Sequence, residues 1–203
     1  VALLVIVSFF IRIPVIFIFG DTVLENEWKI IVNNLIQYNE FSFRRFGDFF
    51  LPNLFMPPLY PLYLYFFSIF NLELQNYILL ILSSQILMSS ISVAVFYKIN
   101  KLFFSRKISF YSSLLFSLFP LHLYACSQIS SITLQIFLTI LFFYFFFSFV
   151  KNRNLLSIFF ISFISGCLIL LRGEFIVIII STLCYLFIVF KKSIKKILLI
   201  LLI

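Results

Sequence analysis

The chain has 203 residues, of which 64% are hydrophobic and only 11% are charged. Soluble domains carry roughly 25% charged residues, so this composition excludes an ordinary soluble domain and indicates an integral membrane protein. The net charge of +8 lies mostly in short turns beside apolar runs, where it suits anionic lipid headgroups better than nucleic acid. We therefore expect membrane lipids, and no nucleic acid, among the partners.

Apolar runs close to the length that a bilayer requires recur along the chain. They predict an all-α, polytopic transmembrane helix bundle that forms a single domain over residues 1–203. The predicted spans are 1–19, 77–97, 108–125, 131–150, 155–171 and 174–190, with the start of another at 197. Because the first residue is Val and the last apolar run stops too early to cross about 30 Å of hydrocarbon, we expect a chain truncated at both ends.

Acidic and basic residues occupy different segments. All seven acidic residues lie in the segment 21–73 or at Glu174. Ten of the fifteen Lys and Arg residues cluster instead in turns at 98–107, 151–154 and 191–196. Cytoplasmic loops of membrane proteins carry an excess of Lys and Arg, so these turns are predicted to be cytoplasmic and the acidic loop to be outside.

The outer loop, residues 20–76, is predicted to contain two helices. Residues 22–38 repeat apolar side chains at helical spacing, which is typical of an amphipathic helix lying on a membrane. Residues 57–70 are apolar but short, and a crossing there would place the basic turn at 98–107 outside. We therefore predict a juxtamembrane helix at 57–70 and a loop at 39–55.

Asp21 and Glu25 are the first candidates for chemistry. Residues four apart share one face of a helix, so this pair would present two carboxylates at the membrane surface, whereas Glu27 would point about 160° away. Paired carboxylates can take a proton from a hydroxyl or bind a divalent cation such as Mg²⁺ or Mn²⁺. In the alternative, Asp21 caps the helix and Glu25 completes a solvated first turn.

Two arginines and one histidine interrupt apolar runs. Arg172 could hold a lipid phosphate through two parallel hydrogen bonds, or it could pair locally with Glu174. Arg12 lies in mid-span, where a charge must face protein or water, and we interpret it as a partner for an acid on another helix. His122 is the only histidine, and a single histidine is weak evidence for metal binding or catalysis.

Several motifs occur in an order that resembles a known family. They are Glu25-Asn26-Glu27-Trp28, Met56-Pro57-Pro58-Leu59-Tyr60-Pro61, Leu118-Phe119-Pro120 and the run from Gly166 to Arg172. Together they resemble the GT-C membrane glycosyltransferases that use polyprenyl-phosphate sugars, in the protein O-mannosyltransferase and aminoarabinose-transferase branch (glycosyltransferase family 39-like). The resemblance extends over nearly the whole chain, but only over the amino-terminal part of such an enzyme.

The resemblance implies roles for particular residues. An acidic residue of the first outer loop would be the catalytic carboxylate, acting as a base or placing a metal. The usual Asp-Glu pair falls on Leu24-Glu25, which leaves Glu25 or the nearby Asp21 as the candidate. Arg172, whose guanidinium could hold a phosphate, is the candidate for binding the donor phosphate. The candidate substrate-binding residues are Glu27, Tyr60 and His122.

The activity implied is inverting transfer of a sugar from a polyprenyl-phosphate donor to a lipid, glycan or protein acceptor. The implied location is a bacterial inner membrane, with the active site facing the periplasm or exterior. The alternative is a multi-spanning transporter or lipid flippase, in which Arg12 and Arg172 line a path. Internal repeats would favour that alternative, and the sequence shows no repeat.

Overall fold

The computed structural model describes residues 1–24, 26–46, 49–52 and 56–189. Within these ranges the elements are α1 (Ala2–Phe19), α2 (Asn26–Tyr38), β1 (Ser42–Phe46), β2 (Phe49–Pro52), α3 (Leu59–Ser68), α4 (Leu74–Phe103), α5 (Arg106–Ser117), α6 (Pro120–Ala125), α7 (Ser131–Asn152), α8 (Leu155–Leu171) and α9 (Ile176–Val189), with a 3₁₀ turn at Gly173–Phe175.

Three helices in the described ranges, α1, α4 and α7, are long and apolar enough to cross a membrane. The longest, α4, has 30 residues, which corresponds to about 45 Å of helix against about 30 Å of hydrocarbon. The helix α8 is apolar but shorter, and so is the helical stretch 173–189. These observations confirm the predicted all-α membrane bundle.

The helix α4 lies at the centre of the bundle, where it packs against α1, α5 and α7, while α8 packs against α7. Short connections join α4 to α5 and α7 to α8, so these neighbours run antiparallel. Ser105 and Asn154 cap the helices that follow, because each side chain accepts a backbone N–H of the first turn. We call residues 98–107 and 151–154 the basic end, and the opposite end the loop end.

The predicted span 108–125 is two helices rather than one. The helix α5 ends at Ser117 and α6 begins at Pro120. Proline lacks a backbone N–H, and its ring clashes with the carbonyl of the fourth residue before it, here Phe116. Both effects favour a break at this point, and Phe119 takes an extended conformation with φ −63° and ψ 119°.

The outer loop differs from the prediction in two places. The helix α2 begins at Asn26 rather than at 22, so the prediction that Asp21 shares a helical face with Glu25 is wrong. Segment 39–55 contains the antiparallel hairpin β1–β2, in which Phe46 pairs with Phe49, rather than a plain loop. Aromatic residues, which favour strands, flank the turn-forming residues of this segment in the sequence.

The helices α2 and α3 cover the loop end of the bundle. Side chains from both join a buried cluster with α4, α7 and α8, whose members include Val32, Tyr60, Leu64, Ile81, Leu134 and Leu171. The Tyr77 hydroxyl donates to the Leu64 carbonyl at 2.9 Å, which ties α3 to the start of α4. With ten residues, α3 is too short to cross a membrane.

Gly20, which ends α1, allows a close approach that a larger residue would not. A Cβ atom at Gly20 would lie 2.3 Å from the Ile16 carbonyl oxygen, whereas a Cβ at Gly166 would meet no atom within 4 Å. We expect Gly20→Ala to destabilise the protein by about 1–3 kcal/mol, because the backbone must shift. Gly166→Ala, the matched control, should be neutral or stabilising, because Ala favours helix. Thermal unfolding in detergent measures both, and equal midpoints would contradict the prediction.

Candidate functional site

Asp21 fixes the start of the outer loop to the turn that joins α6 to α7. Its backbone N–H donates to the Ser127 carbonyl at 3.1 Å, and its Oδ2 accepts the Ile129 N–H at 2.6 Å. Beside them, Gln128 Nε2 donates to the Phe19 carbonyl at 2.6 Å. The end of α1 and the first acidic residue are therefore clamped to this turn.

The same turn contributes to an apolar groove of about 720 Å³. Gln128 and Ser130 line it, and they are the sequence neighbours of the residue that bonds the Asp21 carboxylate. The remaining wall comes from the end of α5, from α6 and from the start of α7, and includes Phe116, Phe119, Leu121, His122, Tyr124 and Ile132. A groove of this size and lining suits a hydrocarbon ligand.

A buried polar cluster joins α1, α4 and α6 at the edge of this groove. Arg12 Nε donates to Ser89 Oγ at 2.7 Å, and Nη1 donates to the Ser8 carbonyl at 2.9 Å and to the Ser8 hydroxyl. Arg12 Nη2 lies 3.1 Å from His122 Nδ1. Within the described part of the chain, the hydrogen-bond partners of Arg12 are therefore neutral, and the acidic partner that we expected is not among them.

The contact with Arg12 determines which nitrogen of His122 carries the proton. A guanidinium can only donate, so Nδ1 must accept and the proton of the neutral ring must lie on Nε2, 3.2 Å from Ser89 Oγ. Because the chain has one histidine, ¹⁵N-histidine labelling gives a spectrum of this residue alone. We expect an unprotonated Nδ1 and a protonated Nε2 at neutral pH, and a mixture of tautomers in Arg12→Met. The reverse assignment in the unaltered protein would contradict this contact.

Arg172 lies at the loop end, between α8 and the 3₁₀ turn. Its Nη1 is 3.3 Å from Glu174 Oε1, and the two side chains are 41% and 67% exposed. The structure thus contains the local pair that the sequence offered as one of two roles for Arg172. No hydrogen bond or ion pair between Arg172 and Asp21 occurs among the described residues.

Tyr60 packs beneath the outer loop rather than at its surface. Its hydroxyl accepts from Gln85 Nε2 at 3.2 Å, and its ring meets the Trp28 ring edge to face, with centroids 4.9 Å apart. Burial, the neighbouring Tyr63 phenol and the Asp21 carboxylate all raise the pKa of Tyr60. Burial also raises the pKa of Tyr63 to about 12, so both phenols are protonated at neutral pH.

The structure gives fewer contacts for the remaining candidates, which are two glutamates and a divalent cation. Glu27 is half-buried in the first turn of α2, and Glu25 lies outside the described residues. No group of three or more His, Cys, Asp or Glu side chains within the described ranges could hold a metal ion. The predicted divalent cation therefore stays a prediction.

Two partners of Arg12 were missed in the sequence. Ser8 precedes Arg12 by four residues, a spacing that places both side chains on one helical face, and this signal could have identified it. Ser89 carries no such signal, because it lies on another helix and resembles the other serines of α4.

Comparison with known proteins gives a family. A sequence model described as dolichyl-phosphate-mannose-protein mannosyltransferase matches residues 56–203, which include His122 and Arg172 but not the acidic residues near α2. Neither a characterised protein nor a solved structure matches the chain. The family match covers well over half of the sequence and agrees with the membrane helices described above. The chain therefore belongs to the dolichyl-phosphate-mannose-protein mannosyltransferase family of membrane glycosyltransferases.

Proposed function

We propose that the chain transfers a sugar, with inversion, from a polyprenyl-phosphate donor to a lipid, glycan or protein hydroxyl. The proposed location is the outer face of a bacterial inner membrane. Family membership supports glycosyl transfer, and one structural observation carries the finer proposal: Asp21 binds the acidic segment to the turn that lines the apolar groove. The first residue of a segment whose sequence is rich in carboxylates is thereby held beside a groove that suits a lipid chain.

The groove beside α6 is the proposed place for the polyprenyl chain of the donor. The donor phosphate would then lie at the loop end, where Arg172 can offer two parallel hydrogen bonds and can stabilise the phosphate as it leaves. The observed pair with Glu174 is exposed and is worth at most about 1 kcal/mol. A phosphate can therefore replace Glu174 as the partner of Arg172.

We assign proton abstraction from the acceptor hydroxyl to Glu25 and anchoring to Asp21. The Oδ2 atom of Asp21 already accepts the Ile129 N–H, so this carboxylate is engaged in holding the loop to the turn. Glu25 follows four residues later and precedes α2. If Mg²⁺ or Mn²⁺ takes part, Glu25 would be among the residues that hold it, and the ion would supply positive charge for the donor phosphate.

The remaining candidates would act around this centre. Glu27, half-buried at the start of α2, is proposed to contact the acceptor. Tyr60 is buried, so its direct contact with substrate would require a rearrangement. His122 is also largely buried but lines the groove, so it would contact the polyprenyl chain there.

Sugar transfer in membranes that contain the protein tests this function. Radiolabelled polyprenyl-phosphate sugars are supplied, and label is followed into lipid, glycan and protein fractions with and without EDTA. Label that moves in the unaltered protein but not in a variant with both Glu25 and Asp21 substituted supports the transferase. Absence of transfer from every donor, with labelled lipid crossing the bilayer, supports the flippase instead.

A further inference from the structure

A second apolar groove lies at the basic end of the bundle, between α4, α7 and α9, with a volume of about 370 Å³. Its apolar wall includes Leu102, Phe103, Phe147 and Val150, while Lys151 and Tyr185 add polar groups. The rings of Phe103 and Phe147 meet edge to face, with centroids 5.0 Å apart. The groove therefore combines an aromatic, hydrocarbon-like surface with an ammonium group at the end of α7.

The turns around this groove carry cations and no carboxylates. The described cations of the basic end include Lys98, Lys101, Arg106, Lys107 and Lys151. No Asp or Glu occurs in the sequence between Glu73 and Glu174. The basic turns therefore offer these cations no carboxylate of their own, and the region complements a negative partner.

Two of the lysines lie along the helices that form the groove. Lys98 Nζ is 5.9 Å from the centroid of the Tyr144 ring on α7, and Lys101 Nζ is 6.0 Å from that of Tyr97. Contacts of this kind hold an ammonium group near an aromatic surface. Lys151, by contrast, is exposed at the last turn of α7 and is open to an external anion.

We propose that this groove binds an anionic phospholipid. An acyl chain would lie over the Phe103–Phe147 pair, and the negative headgroup would contact Lys151. A zwitterionic lipid could fill the same apolar surface but would bring no net charge to the lysine. The site lies at the opposite end of the bundle from the acidic loop, so the proposal does not depend on sugar transfer.

Native mass spectrometry of the full chain tests the proposal. The protein is released from nanodiscs of equimolar phosphatidylglycerol and phosphatidylcholine, and the retained lipids are counted. We expect preferential retention of phosphatidylglycerol, reduced about fivefold by Lys151→Gln. The matched control is Lys107→Gln, which removes a cation of the same end that does not line the groove and should leave retention unchanged.

A second variant tests the groove without altering any charge. Val150→Trp fills the apolar wall and should lower the retention of phosphatidylglycerol, and circular dichroism verifies that each variant keeps its helices. Equal retention of the two lipids by the unaltered protein would overturn the proposal. Equal losses in Lys107→Gln and Lys151→Gln, or full retention in Val150→Trp, would also overturn it, because they would indicate diffuse attraction without a site.

Discussion

Replacement of Glu25 by Gln is expected to lower sugar transfer by about 10²–10⁴-fold, the usual contribution of a general base. The amide is close in size to the carboxylate but cannot accept the proton of the acceptor hydroxyl. Asp21→Asn should lower transfer by less than about tenfold, because the amide oxygen can still accept the Ile129 N–H and only the charge of that bond is lost. Initial rates of label transfer measure both variants.

The matched control for these substitutions is Glu40→Gln, because Glu40 is an exposed acid of the same loop. Its transfer rate should equal that of the unaltered protein. A large loss in Asp21→Asn with a normal rate in Glu25→Gln would move the role of base to Asp21. Normal rates in both variants would remove the acidic segment from the mechanism.

Replacement of Ser89 by Ala is expected to destabilise the bundle by about 1–3 kcal/mol. The hydroxyl of Ser89 accepts from Arg12 and contacts His122, so its loss leaves a buried guanidinium donor without a partner. Unfolding in mixed micelles with increasing denaturing detergent measures the change. Ser92→Ala is the matched control on α4, because the Ser92 hydroxyl donates to Met88 of its own helix and should cost less.

A second substitution tests whether the cost comes from the buried charge. In the background of Ser89→Ala, Arg12→Met removes the donor that was left unpaired and should recover stability, since an apolar residue of similar volume tolerates burial. The pair would then show a coupling of about 1 kcal/mol or more in a double-mutant cycle. Additive losses would contradict a direct link between Arg12 and Ser89.

The sequence predicts the helices better than it predicts their polar contacts. The α8 bounds agree with the predicted 155–171 because the apolar run ends at charged or capping residues. The break before Pro120 was missed because the prediction rested on hydropathy, which contains no information about the backbone N–H that proline lacks. The hairpin of segment 39–55 was missed because its arginines and its proline are typical of a loop. They outweighed the strand preference of the aromatic residues in the prediction.

In the candidate site, contacts between residues close in the sequence could be predicted, whereas contacts between distant residues could not. The local pair of Arg172 with Glu174 could be anticipated, because the two residues are neighbours in the chain. The bond between Asp21 and Ile129 could not, because it joins residues 108 positions apart and involves a backbone N–H, which every residue except proline possesses. Long-range contacts of this kind depend on how the helices pack, which residue types alone do not specify.

The position of Arg12 also gives the synthesis of the chain an order of events. Ser89 follows Arg12 by 77 residues and His122 follows it by 110 residues. A lone arginine at the centre of an inserting helix costs about 2.5–3.5 kcal/mol, and only Ser8 is close by in α1 to lessen it. At ribosomal speeds the wait for His122 is on the order of 10 s. The helix α1 therefore enters the bilayer while some hydrogen-bond donors of Arg12 have no protein partner. It acquires its final place only after α6 has been made.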